Sequence, residues 1–243
     1  MEKLPSDLKN IITDYVIFKP ETKEEIKTAV DLWCENKEEA LKKYGHISNW
    51  NTSLIEDMSE LFYIKWTFSY FNDDISKWDV SNVKNMSKMF YCTEFNQPLN
   101  KWNVSNVENM EGMFQYCFHF NGDISNWDVS SVENMNRMFE TNLEFNQNLN
   151  DWNVSKVKTM DGMFAGANKF DSPLFKWDVS NVKIMNSMFF CASKFNQNLN
   201  SWNVSNTRNS NMKSMFRDAD SFDHEENAEW YDEMNGVAYS GFM

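Results

Sequence analysis

Residues 145–164, FNQNLNDWNVSKVKTMDGMF, form the clearest copy of a unit that recurs along most of the chain. Trp152 marks the register of this unit. The same Trp recurs at Trp50, Trp78, Trp102, Trp127, Trp177 and Trp202. From Trp102 to Trp202 the period is 25 residues, and the two earlier intervals are 28 and 24 residues. A fixed period of about 20 to 50 residues is typical of proteins whose repeats stack on one another.

Each unit divides into a Phe-Asn turn, an extended Trp-x-Val-x-x-Val arm, a short strand and a helical turn at the Met-Phe pair. The Val-x-x-Met step does not have the period of two that a long strand requires, which favours a short strand between bends. The sequence therefore predicts a repeat solenoid of seven stacked coils. Each coil would contain a short parallel strand and a short helical turn, behind an α-helical N-terminal cap.

Asparagine is expected to have two structural roles in these coils. Only seven glycines occur in the chain, so Asn is predicted to supply left-handed turn conformations. A second set of Asn and Asp residues follows the repeated Phe. A buried column of such side chains can accept hydrogen bonds from turn amides, coil after coil. This structural interpretation is preferred to a ligand site for Asn72, Asn96, Asn121, Asn146, Asp171, Asn196 and Asp223.

The ends of the chain differ from the repeats, which gives three predicted parts: a helical cap over 1–48, the coils over 49–217, and an acidic cap over 218–243. Thr22 with Glu25, and Asn36 with Glu39, are spaced as helix N-terminal caps, and Gly45 is placed as a stop signal. The apolar residues of 4–16 recur at helical spacing. The segment 4–18 also leaves open an F-box-like docking helix as the alternative to a cap.

The net charge of −13 argues against nucleic acid and anionic membrane surfaces as partners. No apolar run is long enough to span a membrane, and the first residues do not resemble a signal peptide. A cytoplasmic or other intracellular location is therefore expected, with a virion as a further option.

No pattern in the chain indicates catalysis, a metal or a cofactor. The cysteines Cys34, Cys92, Cys117 and Cys191 form no metal-binding spacing, and Cys92 and Cys117 are interpreted as small buried residues of the repeat. The three histidines do not fall at matching repeat positions. A calcium loop near 218–225 would miss the usual ligand spacing and its central glycine. We therefore expect a protein that is not an enzyme and needs no cofactor.

The motif Trp-Asp/Asn-Val-Ser-x-Val-x-x-Met-x-x-Met-Phe, followed by Phe-Asn-Gln, resembles the BspA-like (bacterial surface protein A-type) leucine-rich repeat of about 25 residues. That repeat is abundant in mycoplasma lipoproteins. The resemblance extends from about Trp50 to Phe222. It implies a leucine-rich-repeat-like fold and protein–protein recognition, and it implies no catalytic residues. It also leaves a surface adhesin-like protein as an alternative.

Two surfaces are candidates for holding a protein partner. The first is an outward row six residues after each Trp, with Lys84 expected to offset Glu108, and Lys158 to offset Glu133. The second is the aromatic loop 63–71, which either folds back on the cap or forms an exposed patch. The main expectation is a protein-binding module, and an architectural component that self-associates is the alternative. The candidate residues are Lys84, Glu108, Glu133, Lys158, Lys183, Trp66 and Phe68.

Overall fold

A computed structural model describes residues 17–65, 67–208 and 211–231. Two α-helices open this part of the chain, and a 3-10 helix and a short α-helix follow. They are α1 (Lys23–Glu35), α2 (Lys37–Tyr44), the 3-10 helix Ile47–Asn49, and α3 (His224–Asn227). The predicted helix over 4–16, and with it most of the F-box-like segment, lies outside the described residues.

The helix signals read between residues 22 and 45 are confirmed. Thr22 Oγ1 accepts the amide of Glu25 at 3.2 Å and starts α1. Asn36 Oδ1 accepts the amide of Glu39 at the start of α2. Gly45 ends α2 with a φ of +71°, a left-handed conformation that suits glycine. The buried face of α1 is the predicted one: Ile26, Ala29, Val30 and Trp33.

The predicted coil of a short parallel strand plus a helical turn is wrong. Among the described residues no strand is formed, and the Met-Phe pairs lie in hydrogen-bonded turns rather than in helices. Parallel pairing is reduced to isolated one-residue bridges between successive repeats. Five of these bridges form one series: Asp57–Asn85, Asn85–Asn109, Asn109–Asn134, Asn134–Thr159 and Thr159–Ile184. The leucine-rich-repeat-like strand solenoid is therefore not the architecture of this chain.

Left-handed residues explain why no strand extends. The residue two positions after each repeat Met has a φ between +54° and +60°, as at Lys88, Arg137 and Ser187. A second left-handed residue follows four positions later, for example Cys92 after Lys88. An extended chain cannot continue through these positions, so pairing stops after one residue. None of the left-handed residues in the described ranges is Asn, so the prediction that Asn would supply this conformation is also wrong.

Successive repeats are nevertheless joined by regular backbone hydrogen bonds. The amides of Met86, Lys88 and Phe90 donate to carbonyls of the following repeat at 2.7–2.9 Å. The carbonyls of Asn85, Ser87 and Met89, each one residue earlier, accept hydrogen bonds from amides of the preceding repeat. Within each repeat, a turn bond such as Met89 to Met86 closes the chain between these contacts. The result is a stack of turn-built coils.

The seven repeat Trp side chains are buried, and four of the neighbouring pairs stack. The stacked pairs have ring centroids 6.1–6.5 Å apart, as in Trp102–Trp127 and Trp127–Trp152. This is wider than the spacing of about 4.8 Å expected from paired strands, because stacked rings settle in offset positions. Each indole also donates a hydrogen bond to a backbone carbonyl that precedes it in the chain. For example, Trp152 Nε1 donates to the carbonyl oxygen of Ile124 at 3.2 Å.

Two phenylalanine columns fill the rest of the core. Within one coil the two rings stack at about 4 Å, as in Phe139–Phe145 and Phe164–Phe170 (each 4.0 Å). Between coils the rings of each column stack again, for example Phe139 on Phe164 at 5.6 Å. One coil could not bury these faces alone, so the repeats are stable only as a stack.

The predicted Asn/Asp ladder is confirmed in its bonding but not in its burial. Asn121 Oδ1 accepts the amide of Asn146, and Asn146 Oδ1 accepts the amide of Asp171, at 3.0 and 2.9 Å. Most of these side chains are exposed rather than buried. The ladder therefore fastens the turns at the surface of the stack.

The buried position assigned to Cys92 belongs to Thr93. Cys92 is half-buried and left-handed, whereas Thr93 is fully buried and aligns with Cys117 in the next coil. Thr93 Oγ1 and Cys117 Sγ lie 3.3 Å apart. The interval between Trp78 and Trp102 is 24 residues instead of 25, so this coil is one residue shorter before Phe95. Counting back from Phe95 therefore selected Cys92 instead of Thr93.

Candidate functional site

In the first six coils, the residues six positions after Trp form a backbone ladder, which we call the charged ladder: Glu56, Lys84, Glu108, Glu133, Lys158 and Lys183. Arg208 holds the same position in the seventh coil. From Lys84 to Lys183, each amide of the ladder donates to the carbonyl of the preceding member at 2.8 Å. All six side chains are exposed. The predicted outward orientation of the five candidate residues is therefore what the structure shows.

The ion pairs of the charged ladder differ in part from the expected ones. Lys158 Nζ lies 2.6 Å from Glu133, as predicted. Lys84 pairs with Glu56 at 2.8 Å instead of with Glu108. The Glu56 carboxylate raises the pKa of Lys84 through this hydrogen bond, and Glu108 adds to the shift.

A second surface lies after the Met-Phe pair of the second and third coils and after the corresponding Leu61-Phe62 pair of the first coil. We call it the aromatic edge: Tyr63, Phe68, Tyr70, Tyr91, Tyr116 and Phe118. The ring of Tyr91 meets Tyr63 at 5.1 Å and Tyr116 at 5.6 Å, edge to face in both cases. These three rings are half-buried, so part of each faces solvent.

The loop 63–71 supplies the outer part of the aromatic edge. Phe68 stacks on Phe118 at 5.9 Å and meets Tyr70 edge to face. Tyr70 is 82% exposed. Phe68 therefore packs on a later coil. Trp66, the other aromatic candidate of this loop, lies outside the described residues.

Charges of both signs flank the aromatic edge. Glu94 lies 3.9 Å from His119, and Glu140 accepts a hydrogen bond from Gln115 while lying 3.7 Å from Arg137. Burial raises the pKa of Glu140, although Arg137 and Gln115 act against this shift. Burial also raises the pKa of Tyr91, so its hydroxyl stays protonated as a hydrogen-bond donor at neutral pH. The edge can bind apolar groups and donate hydrogen bonds, without a strong preference for one charge.

The cysteines carry no activated thiol. Burial raises the pKa of Cys117 to about 12 and, together with Asp31, that of Cys34 to about 11. Burial likewise raises the pKa of Cys92 and Cys191. A nucleophilic cysteine needs a lowered pKa, which is the opposite shift. Within the described residues, no group of three or more His, Cys, Asp or Glu side chains is placed to hold a metal ion.

Sequence reasoning found the outward row but only part of the aromatic edge. Tyr63, Tyr91, Tyr116 and Phe118 were not among its candidates. A signal for them exists, because aromatic residues stand 13 to 16 positions after Trp in the first three coils, while the fifth coil has alanine, glycine and asparagine there. Ring contacts between different coils had to be seen before these residues could be recognised as one surface.

No helix in the described ranges is both long and apolar enough to cross a membrane. Among curated proteins and solved structures, none matches the chain. A protein family described as Mycoplasma protein of unknown function, DUF285, matches residues 34–149 and 120–231. The two overlapping matches include all seven repeat Trp positions and most of the chain. The chain therefore belongs to the DUF285 family.

Proposed function

We propose that this protein is a non-enzymatic protein-binding module that holds its partner on the aromatic edge. The observation that carries the proposal is two groups of three contacting aromatic side chains in the first three coils, Tyr63–Tyr91–Tyr116 and Tyr70–Phe68–Phe118. None of the six is fully buried, and Tyr70 is 82% exposed. Aromatic residues are enriched at the energetically important positions of protein interfaces. Because the flanking charges are mixed, the partner is expected to present apolar side chains.

The repeat motif supports the same function. We propose that the units are of the BspA-like type, which the sequence resembles and whose members are associated with protein recognition. The structure to which this proposal applies is the stack of turn-built coils described above. A surface adhesin-like role remains the corresponding alternative for a protein displayed outside the cell.

The test compares capture of partners by three forms of the protein. The first is the wild type, and the second carries Tyr70→Ser and Tyr91→Ser on the aromatic edge. The third carries Phe175→Ser, which removes an aromatic residue that is 52% exposed elsewhere on the stack. Each form is immobilised, and captured proteins from the native cell are quantified by mass spectrometry after melting curves confirm folding.

The proposal predicts proteins that the wild type and the Phe175→Ser control retain equally and that the double variant loses. Because interface aromatics contribute strongly to binding, the loss should be at least about tenfold. Equal retention by all three forms would overturn the aromatic edge as the binding surface. Turnover of a substrate by the purified chain would overturn the non-enzymatic assignment.

An architectural role is the second candidate, and a different observation favours it. The charged ladder is long, exposed and periodic, and it lies apart from the aromatic edge in the repeat register. A component of a particle or scaffold would use such a surface for self-association.

A further inference from the structure

The order of charges on the charged ladder is self-complementary. From Glu108 to Lys183 the four exposed side chains are Glu, Glu, Lys, Lys. Within one chain, Glu133 and Lys158 form an ion pair. Among the described residues, neither Glu108 nor Lys183 has an ionic partner within 4 Å. Two like-charged neighbours are left at each end of the quartet, an arrangement that weakly destabilises a single stack.

We propose that two copies of the chain associate face to face through the charged ladder, in antiparallel orientation. A two-fold axis between Glu133 and Lys158 would place each Glu108 opposite Lys183 of the second copy. The same axis would gather both Glu133–Lys158 pairs into one alternating cluster of four charges. A two-fold interface uses the same surface on both copies, so it requires this kind of self-complementary order.

The geometry of the backbone suits this pairing. The ladder residues are joined by direct backbone hydrogen bonds from coil to coil. With a spacing of about 4.8 Å per coil, Glu108 and Lys183 lie about 14 Å apart along the stack. The matching distance on the second copy is the same, so both outer pairs can form together.

The quartet is also a surface on which a second copy meets no net charge. The whole chain carries a net charge of −13, which opposes association elsewhere. The quartet from Glu108 to Lys183 carries two positive and two negative charges and is therefore neutral. Beyond the quartet, Lys84 is already paired with Glu56, and Arg208 follows Lys183 in the same row. Exposed ion pairs contribute little each and are screened by salt. The dimer is therefore expected to be weak and to dissociate as the salt concentration rises.

Charge reversal tests the dimer, because two variants that each weaken it alone should restore it when they are mixed. Glu108→Lys alone places like charges opposite each other in the homodimer, and so does Lys183→Glu alone. Mixing the two variants restores opposite charges at both outer pairs, but only between unlike chains. The doubly reversed chain, Glu108→Lys with Lys183→Glu, restores them within a homodimer. Glu35→Lys and Lys194→Glu are matched controls, because both residues are exposed and lie off the ladder.

Sedimentation equilibrium at low salt measures the mass of each sample against the 28.8 kDa of one chain. We expect dimers for the wild type, both controls, the mixture and the double reversal. Each single ladder variant should raise the dissociation constant at least about tenfold. A monomeric wild type at low salt would overturn the proposal, as would a dimer that the single variants leave unchanged or a mixture that stays monomeric. Dimerisation by the Tyr70→Ser, Tyr91→Ser form is expected, since the dimer does not depend on the aromatic edge.

Discussion

At the residue scale, the turns depend on side chains held in an unfavourable backbone conformation. A left-handed φ costs a residue other than glycine roughly 1–2 kcal/mol. Gly112 and Gly162 occupy the position two after Met in their coils, while Lys88, Arg137 and Ser187 occupy it in others. The hydrogen bonds between coils hold these residues in place, since the amide at this position donates to the next coil. The hydrogen bonds between coils thus offset the strain of the left-handed conformation.

Replacing Ser187 by glycine should stabilise the protein. The backbone bond from residue 187 to Lys213 stays available, and the left-handed strain is removed. Glycine also gains freedom in the unfolded chain, so the net gain is expected to be up to about 1 kcal/mol. Urea unfolding measures the change. Ser105→Gly is the matched control, because Ser105 is not among the left-handed residues and should lose about 0.4–1 kcal/mol. A loss at both positions would contradict the prediction.

At the element scale, the helical cap is fastened to the first coils by a small set of polar contacts. Trp33 Nε1 in α1 donates to Asp73 Oδ2 at 2.8 Å, and Lys37 Nζ in α2 lies 2.7 Å from Asp73 Oδ1. Lys23 in α1 lies 3.1 Å from Asp57 and also contacts Ser59. Apolar burial by α1 provides the bulk of the contact, and these carboxylates fix its position.

The attachment of the cap should weaken in acid. Partial burial favours the protonated form of Asp57 and Asp73, but hydrogen bonds and lysines outweigh it and hold both pKa values below the usual 3.8. A lowered folded pKa gives stability that is fully present above the unfolded pKa. This stability is lost as the pH falls through the folded pKa, so the loss begins below about pH 4.

Hydrogen exchange of the α1 amides at pH 5 and at pH 3 measures this effect. Exchange, corrected for its intrinsic pH dependence, should rise at pH 3 in the wild type. The Asp57→Asn, Asp73→Asn form should already be less protected at pH 5 and should change less between the two values. An unchanged wild-type pattern, or equal acid sensitivity in the two forms, would argue against these carboxylates.

At the scale of the whole molecule, the peptide units of the turns point along the stack. In each regular coil several carbonyls face the preceding coil while the following amides face the next one. The ladder amides, such as that of Lys84, point the opposite way but are fewer. Aligned peptide dipoles add up, so amide ends point towards the C-terminal end of the stack and carbonyl ends towards the cap. Lys27 Nζ donates to the carbonyl of Tyr63 near the cap. The opposite end carries Asp218, Asp220 and Asp223. The acidic residues at the C-terminal end therefore match the direction of the dipoles.

Trp152→Ala should destabilise the whole stack, because Trp152 is 2% exposed and stacks on Trp127. The loss of its burial, the cavity left behind and the lost indole hydrogen bond should cost about 3–5 kcal/mol. Lys156→Ala, an exposed change in the same coil, should cost under about 0.5 kcal/mol. Thermal and urea unfolding of both variants measure the difference. Similar losses would show that the inside and the outside of the coil have been exchanged.

The sequence by itself determined the repeat, its register, the buried residues and the helix caps. Trp, Val, Met and Phe recur at fixed positions, and a fixed position can face only the core or only the solvent in every coil. Thr22, Asn36 and Gly45 mark the helix ends through local hydrogen bonds and local backbone preference. The Asn-to-amide bonding between coils also followed from the repeat. These features depend on spacing and on short-range chemistry.

Only the tertiary structure decided the form of the coil and the shape of its surfaces. The bonds between coils force Lys88, Arg137 and Ser187 into a left-handed conformation that their residue types do not favour, and this breaks the expected strand into single bridges. Lys84 pairs with Glu56 and not with Glu108, and this depends on the positions of the side chains in the neighbouring coils. The aromatic edge depends on contacts such as Phe68 with Phe118, which lie 50 residues apart in the chain. Such contacts have no local signal, because stacking of the coils creates them.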